Sequence, residues 1–162
     1  MKLIEAQTLA IQLMVKHGLL EQNWYFEFDN AKRRFGCCNY RYKRISLSKE
    51  LVQLNDEARV KNTILHEIAH ALVGRGHGHD HVWKAKAREI GCDAERCYSS
   101  DKVATPEAKY QATCPKCGHV HKRHKRPRTN SLQSCGKCSR VFDRTRLLIY
   151  KSTASISYLS CR

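Results

Sequence analysis

The chain has 162 residues, of which 41% are hydrophobic and 28% charged, a balance that excludes a disordered or collagen-like polymer. No run of 18 uncharged apolar residues occurs, which excludes a helical membrane span, and Glu5 and Gln7 interrupt the apolar core that a secretory leader requires. Thirty Lys and Arg against fifteen Asp and Glu give a formal charge of +15, so a soluble protein with a polyanionic partner is expected.

In chain order, Ala6, Leu9, Ala10, Leu13 and Met14 recur at helical spacing and predict a helix over 5–17, stopped by Gly18. The aromatic run Trp24 to Phe28 suits a strand, with Asp29 and Asn30 turning the chain. Arg33 to Cys38 and Tyr40 to Ser46 supply two more short strands, and the three together predict a small antiparallel sheet. Ser48 is placed to cap a short helix through Leu51, Val52 and Leu54. Asn55 and Asp56 then cap a longer helix over 57–73, whose apolar face is Val60, Ile64, Ile68, Ala71 and Leu72 and whose stop is Gly74. A glycine- and histidine-rich loop over 74–80 leads into a helix over 81–90, ended by Gly91. Residues 99–112 lack periodicity and are expected to be a linker.

Charge and cysteine divide the chain. Residues 1–100 hold 16 basic and 12 acidic residues, whereas 101–162 hold 14 basic and 3 acidic. Nine cysteines, an odd number, argue against a secreted disulfide scaffold and for thiolates in a reducing compartment, cytoplasmic or associated with the nucleoid or nucleus. Cys37, Cys38, Cys92, Cys97 and Cys161 have no ligand-like spacing and are expected to be reduced structural cysteines.

The chemistry of the first region lies in His66-Glu67-Ile68-Ala69-His70, an H-E-x-x-H pattern inside the long helix. Histidines at i and i+4 share one helix face and can grip one zinc ion, with Glu67 near enough to take a proton from a water activated there. A third protein ligand is required, with solvent in the fourth position. The metzincin spacing requires glycine at position 73 and histidine at 76, where this chain has Val73 and Gly76; Met1 and Met14 are its only methionines, so no later Met-turn exists. The remaining candidates are His77, His79 and His81 in the loop, and Glu89 or Glu95 beyond it.

This stretch resembles the SprT-like (Spartan-type) metalloprotease family. The resemblance rests on Trp24, Phe28 and Asp29, on Gly36, and on Ile45 to Ser48. It continues through Thr63 to His70, Gly78 to Lys84, and Ile90-Gly91. It implies an α+β fold of helices packed on a small sheet, a zincin-like HExxH domain with the zinc helix central. It also implies His79, four residues before Trp83, as the third ligand beside His66 and His70, with Glu67 as the general base. In place of the family's commoner His-Gly pair this chain has His79-Asp80. The implied activity is zinc-dependent proteolysis of proteins associated with DNA, covalent DNA–protein crosslinks included.

In the second region, Cys114-x2-Cys117 and Cys135-x2-Cys138 are separated by 17 residues, the pattern of a closed structural zinc site in a small β ribbon. His119, His121 and His124 alternate with basic residues as on a strand with one polar face. Lys122, Arg123, Lys125, Arg126 and Arg128 lie between the knuckles, and Arg140 and Arg144 follow. They predict a basic edge for nucleic acid, of either strand state, without the aromatic interleaving that base stacking needs. The expected organisation is a SprT-like metalloprotease domain over 1–98, a linker over 99–112, a zinc ribbon over 113–151 and a tail over 152–162. Two zinc ions are expected, one catalytic and one structural, with no membrane partner. The rival reading is a non-proteolytic nucleic-acid-binding or regulatory zinc protein, against which the carboxylate of Glu67 argues, since a structural site needs none there.

Overall fold

The computed structural model describes residues 1–95, 103–128 and 132–155. It divides into two compact units, Met1–Pro106 and Glu107–Arg162. Both mix helices or helical turns with small sheets, so the chain is α+β. Among the described residues no helix is long and apolar enough to cross a membrane.

The first unit opens with α1 (Leu3–Lys16), which buries Ala6, Ala10 and Met14 along one face. Gly18, at φ +66°, ends the helical run by turning the chain left-handed. Three strands follow: β1 (Tyr25–Asp29), β2 (Gly36–Asn39) and β3 (Arg44–Ser48). The sheet order is β1-β3-β2. β2 pairs antiparallel with β3, but β1 pairs with β3 parallel, so the sheet is mixed where a purely antiparallel one was expected. The cause is topological. After β1 the chain crosses to the far side, reverses through β2 and returns between the two, which aligns β3 with β1 and leaves β2 at an edge. β2 and β3 also start three and four residues later than their sequence runs and end one and two later, because the turn falls at 40–43, where Lys43 has φ +47°.

Ser48 joins β3 to α2 (Lys49–Leu54). Its hydroxyl accepts from the Leu51 N–H and donates to the Ala31 carbonyl. α3 (Glu57–Val73) starts on the Asp56 carboxylate, which accepts from the Arg59 N–H, and stops at Gly74. This helix is buried on two sides. Val60, Ile64 and Ile68 join α1 and the sheet through Met14, Phe35, Ile45 and Leu47. Leu65 and Ala69 pack instead with Trp83 and Ala87 of α4 (His81–Glu89). Such double burial holds α3 rigidly in the middle of the unit.

The segment expected to be a linker is partly docked. Val103 is buried against the first core cluster, and the Asn55 amide exchanges hydrogen bonds with both backbone groups of Ala104, each 2.9 Å. One apolar residue and one side-chain amide secure it, a device that leaves no periodicity to read. Residues 96–102, including Cys97, lie outside the described residues, as does Cys161.

In the second unit β4 (Tyr110–Thr113) sits between β5 (Val120–Arg123) and β6 (Lys151–Ser152), both antiparallel to it. Its described core is small: Ala112, Cys114, Cys135 and Leu148, with Tyr150 packed alongside. The unit begins before the boundary of 113, because β4 precedes the first cysteine. Part of the expected tail belongs to it as well: Ser152 lies in β6, and Thr153 hydrogen-bonds the carbonyls of Ala108 and Lys109.

Candidate functional site

His66 and His70 lie one turn apart on α3, and the loop 74–80 returns His79 to them. The Nε2 of His79 is 3.0 Å from that of His66 and 3.2 Å from that of His70. Two nitrogens bound to one tetrahedral zinc at about 2.05 Å sit roughly 3.3 Å apart, so the donor set fits that ion. Burial and mutual repulsion among the three rings push His66 and His70 down to about 4, which leaves their lone pairs unprotonated at neutral pH.

Glu67 is 7% exposed and turns towards β2. Burial raises its carboxyl to about 8, against the opposing pull of Arg34 and of the Cys38 backbone N–H that hydrogen-bonds it. The approach of β2 is close enough that a Cβ built on Gly36 would lie 2.5 Å from Glu67 Oε1. Glycine is therefore needed here for space, not for backbone conformation.

The four knuckle cysteines form a second cluster. Cys114 and Cys138 sulfurs are 3.7 Å apart, as are those of Cys117 and Cys135. Sulfurs bound tetrahedrally to zinc at 2.3 Å stand about 3.8 Å apart, whereas a disulfide holds them near 2.0 Å. The spacing is that of a metal-binding set. The backbone N–H groups of Cys117 and Lys116 pull the Cys114 thiol below its ordinary range, favouring a thiolate. His121 Nε2 stands 3.2 Å from the Cys135 sulfur, outside the four-sulfur set but in hydrogen-bond contact with it.

The SprT-like family model matches residues 4–104, more than half of the chain. The chain belongs to the SprT-like family. No curated protein gives a match. Among solved structures, the crystal structure of the metallopeptidase zymogen jannalysin of Methanocaldococcus jannaschii is 16% identical, with a TM-score of 0.46, over 60% of this chain and 85% of that one.

Within the SprT-like unit, the surroundings of the three imidazoles are specific. Trp83, fully buried on α4, packs against all three rings, stacked on His70 and edge-on to His66 and His79, with centroid distances of 4.6 Å to His66, 5.1 Å to His70 and 4.6 Å to His79. The sequence marks Trp83 only as the residue four after His79; its contact with the histidines becomes visible only on folding. The loop is tied by Asp80. One carboxylate oxygen caps α4 by accepting from the Trp83 N–H at 3.0 Å, and the other contacts His77 Nδ1 at 2.8 Å. From β2's end the Tyr40 hydroxyl reaches the carbonyls of His70 and Gly74, at 3.0 and 3.1 Å, and fastens the C-terminus of α3. No spacing rule pointed to Tyr40.

The other candidate ligands lie elsewhere. His77 is engaged by Asp80, His81 is exposed at the start of α4, and Glu89 is exposed and paired with Lys86 at 2.6 Å. Glu95 lines a cleft of about 390 Å³ that runs beside His66 and Glu67, bounded also by Arg33, Arg34, Arg59 and Asp93. In that cleft the guanidinium groups meet carboxylates: Arg34 pairs with Asp29 at 2.9 Å and Arg59 with Asp93 at 3.8 Å.

In the ribbon, Lys122 is exposed on β5, while Arg123 lies on the opposite face with its guanidinium 5.1 Å above the Tyr150 ring. Lys125, Arg126 and Arg128 are exposed in the segment after β5, and Arg140 and Arg144 are exposed beyond the second knuckle. Arg126 and Arg128 border a groove with Tyr110 and Tyr150, so folding gathers aromatic rings that are scattered in the sequence.

Proposed function

We propose that this SprT-like chain is a zinc-dependent metallopeptidase acting on proteins associated with DNA, covalent DNA–protein crosslinks among them, and that its basic ribbon holds nucleic acid. The observation that carries the peptidase reading is a buried carboxylate, Glu67, which follows His66 on α3 and lines one cleft with it, together with three imidazole nitrogens spaced for one ion. His66, His70 and His79 would hold the catalytic zinc, and Cys114, Cys117, Cys135 and Cys138 a structural one. Zinc so held supplies Lewis acidity to a water and to the scissile carbonyl.

The chain's own groups do the rest. Glu67, with its affinity for a proton raised by burial, takes the proton of the attacking water and returns it to the leaving amine. The Cys38 N–H keeps that carboxylate aimed away from the helix. Because this N–H faces Glu67, the unpaired edge of β2 borders the site, and an extended peptide can lie along it by main-chain hydrogen bonding. Trp83 excludes water from beneath the imidazoles and fixes their rings.

The DNA part rests on charge. The seven cations Lys122, Arg123, Lys125, Arg126, Arg128, Arg140 and Arg144, exposed or half-exposed on the ribbon, suit a phosphate backbone. The described cysteines are unbridged, as a reducing cytoplasmic, nucleoid or nuclear setting requires. The test is to incubate the protein with a DNA-binding protein, with and without DNA, beside the E67Q variant. Metal-dependent fragments from the wild type alone are expected. Fragments from E67Q with zinc still bound would overturn the role of Glu67, and an inert wild type loaded with zinc would favour the rival non-proteolytic reading.

A further inference from the structure

β2 runs past Glu67 with one cleft at each end, and the two clefts differ in charge. At the Gly36 end, arginines and carboxylates balance, as described above. At the Asn39 end, a second cleft is lined by Cys38, Asn39, Tyr40 and Arg41 on one wall and by Arg75 to Gly78 on the other, with no acidic side chain. Each wall is one step from the site: Cys38 donates to Glu67, Tyr40 holds the carbonyl of His70, and Gly78 precedes His79. Among the described residues neither Arg41 nor Arg75 has a carboxylate within ion-pair distance. Both are instead held over tyrosine faces, Arg75 at 6.0 Å from the Tyr40 centroid and Arg41 at 5.5 Å from that of Tyr42. The acid nearest Arg75 in sequence, Asp80, is already engaged by His77 and the Trp83 N–H, and the one nearest Arg41, Glu50, pairs with Lys32. Two guanidinium groups ordered by aromatic faces and lacking an anion make a site for one supplied from outside.

We propose that Arg41 and Arg75 form an anion subsite that selects substrates carrying a carboxylate or phosphate side chain on one flank of the scissile bond. The proposal rests on the peptidase reading and names the substrate class of that site. Its test is therefore made by binding, which does not need turnover, and then by cleavage. Fluorescent peptides of one sequence, carrying Glu, phosphoserine or Gln at successive positions, are titrated by anisotropy against zinc-loaded E67Q and against E67Q with R41Q and R75Q. At least fivefold tighter binding of a Glu or phosphoserine peptide over its Gln counterpart is expected, abolished by the two arginine changes and weakened by salt. The Glu and phosphoserine arms separate carboxylate from phosphate selection. Equal binding of all three, or a preference that survives R41Q/R75Q, overturns the subsite, as does loss of oligonucleotide binding in place of peptide discrimination. Wild-type cleavage of the same set then tests the peptidase separately: discrimination in binding with no cleavage would leave the subsite standing and sink the reading beneath it.

Discussion

Gly36 on the edge strand leaves the space that the Glu67 side chain of α3 fills: a methyl at position 36 would lie 2.5 Å from Oε1 and 2.8 Å from Cγ. Glu67 is a flexible side chain, so G36A should fold, with the carboxylate swinging away from β2 and from the Cys38 N–H. A misplacement of about 1 Å in a reacting group costs on the order of 10²-fold in rate. The expected result is a zinc-loaded protein with peptidase activity reduced by about that factor. Metal analysis beside a proteolysis assay checks it; activity within twofold of wild type would show that Glu67 has no need of this strand.

The raised affinity of Glu67 for a proton has a consequence for the metal-free protein. Its carboxyl titrates near 8 when folded and near 4.3 when unfolded. Between those values the folded state holds a proton that the unfolded state has lost, so this group makes stability fall as pH rises, by up to about 1.4 kcal/mol per pH unit. His66 and His70 act in the opposite sense. Their folded values near 4 make stability rise with pH, but only up to the unfolded value of about 6.5. From pH 6.5 to 8 Glu67 acts without that opposition. Urea unfolding of the metal-free protein should therefore show declining stability across this window, and E67Q should flatten the decline. An equal slope in the variant would mean that the carboxylate is ionised in the apo fold.

How much of this was legible beforehand depends on the reach of each interaction. The helices were readable because their signals are local: Ser48, Asp56 and Gly74 cap or stop them where the sequence placed them. The pairing of His66 with His70 was readable for the same reason, being one turn of one helix. The order β1-β3-β2 was not, since alternation of apolar residues says nothing about which strand lies in the middle. Nor were Tyr40, Trp83 and the Cys38 N–H visible as parts of the site. Tyr40 reaches it across thirty residues of chain, Trp83 by the ring contacts that the fold of α4 onto α3 creates, and Cys38 through a backbone group common to all residues. Asp80 was visible only as a departure from the commoner His-Gly pair, and the structure gives the departure a physical reason.

Asp80 binds two groups that set the position of His79, so its removal should be felt at the metal. D80A loses the cap of α4, worth about 1 kcal/mol, and frees His77. Loss of an interaction that orients a ligand typically lowers metal affinity 10–100-fold. D80A should fall in that range by competition with a zinc chelator, whereas D80N, which keeps a capping oxygen, should recover most of the affinity. Unchanged affinity in D80A would show that the loop is held by other contacts.

The two metal clusters should differ in what their ions support. The SprT-like unit carries an extended core through α1, α3 and the sheet, so loss of zinc from its three histidines should leave it folded. Among the described residues the ribbon has four in its buried core, two of them cysteines of the cluster itself. A structural zinc contributes on the order of 10 kcal/mol or more to domains of that size, and the seven ribbon cations lose the fold that positions them without it. Complete chelation should therefore collapse the amide dispersion of residues 107–155 in NMR spectra while that of 1–95 persists, and should abolish DNA binding in parallel. Before chelation, binding should weaken steeply between 50 and 200 mM salt, each Lys or Arg changed to Ala lowering the slope of log K against log salt by roughly 0.7–0.9 if it touches a phosphate. A ribbon that stays folded without metal, or binding indifferent to salt, would separate the charge from the zinc and leave the basic residues as a solvated face.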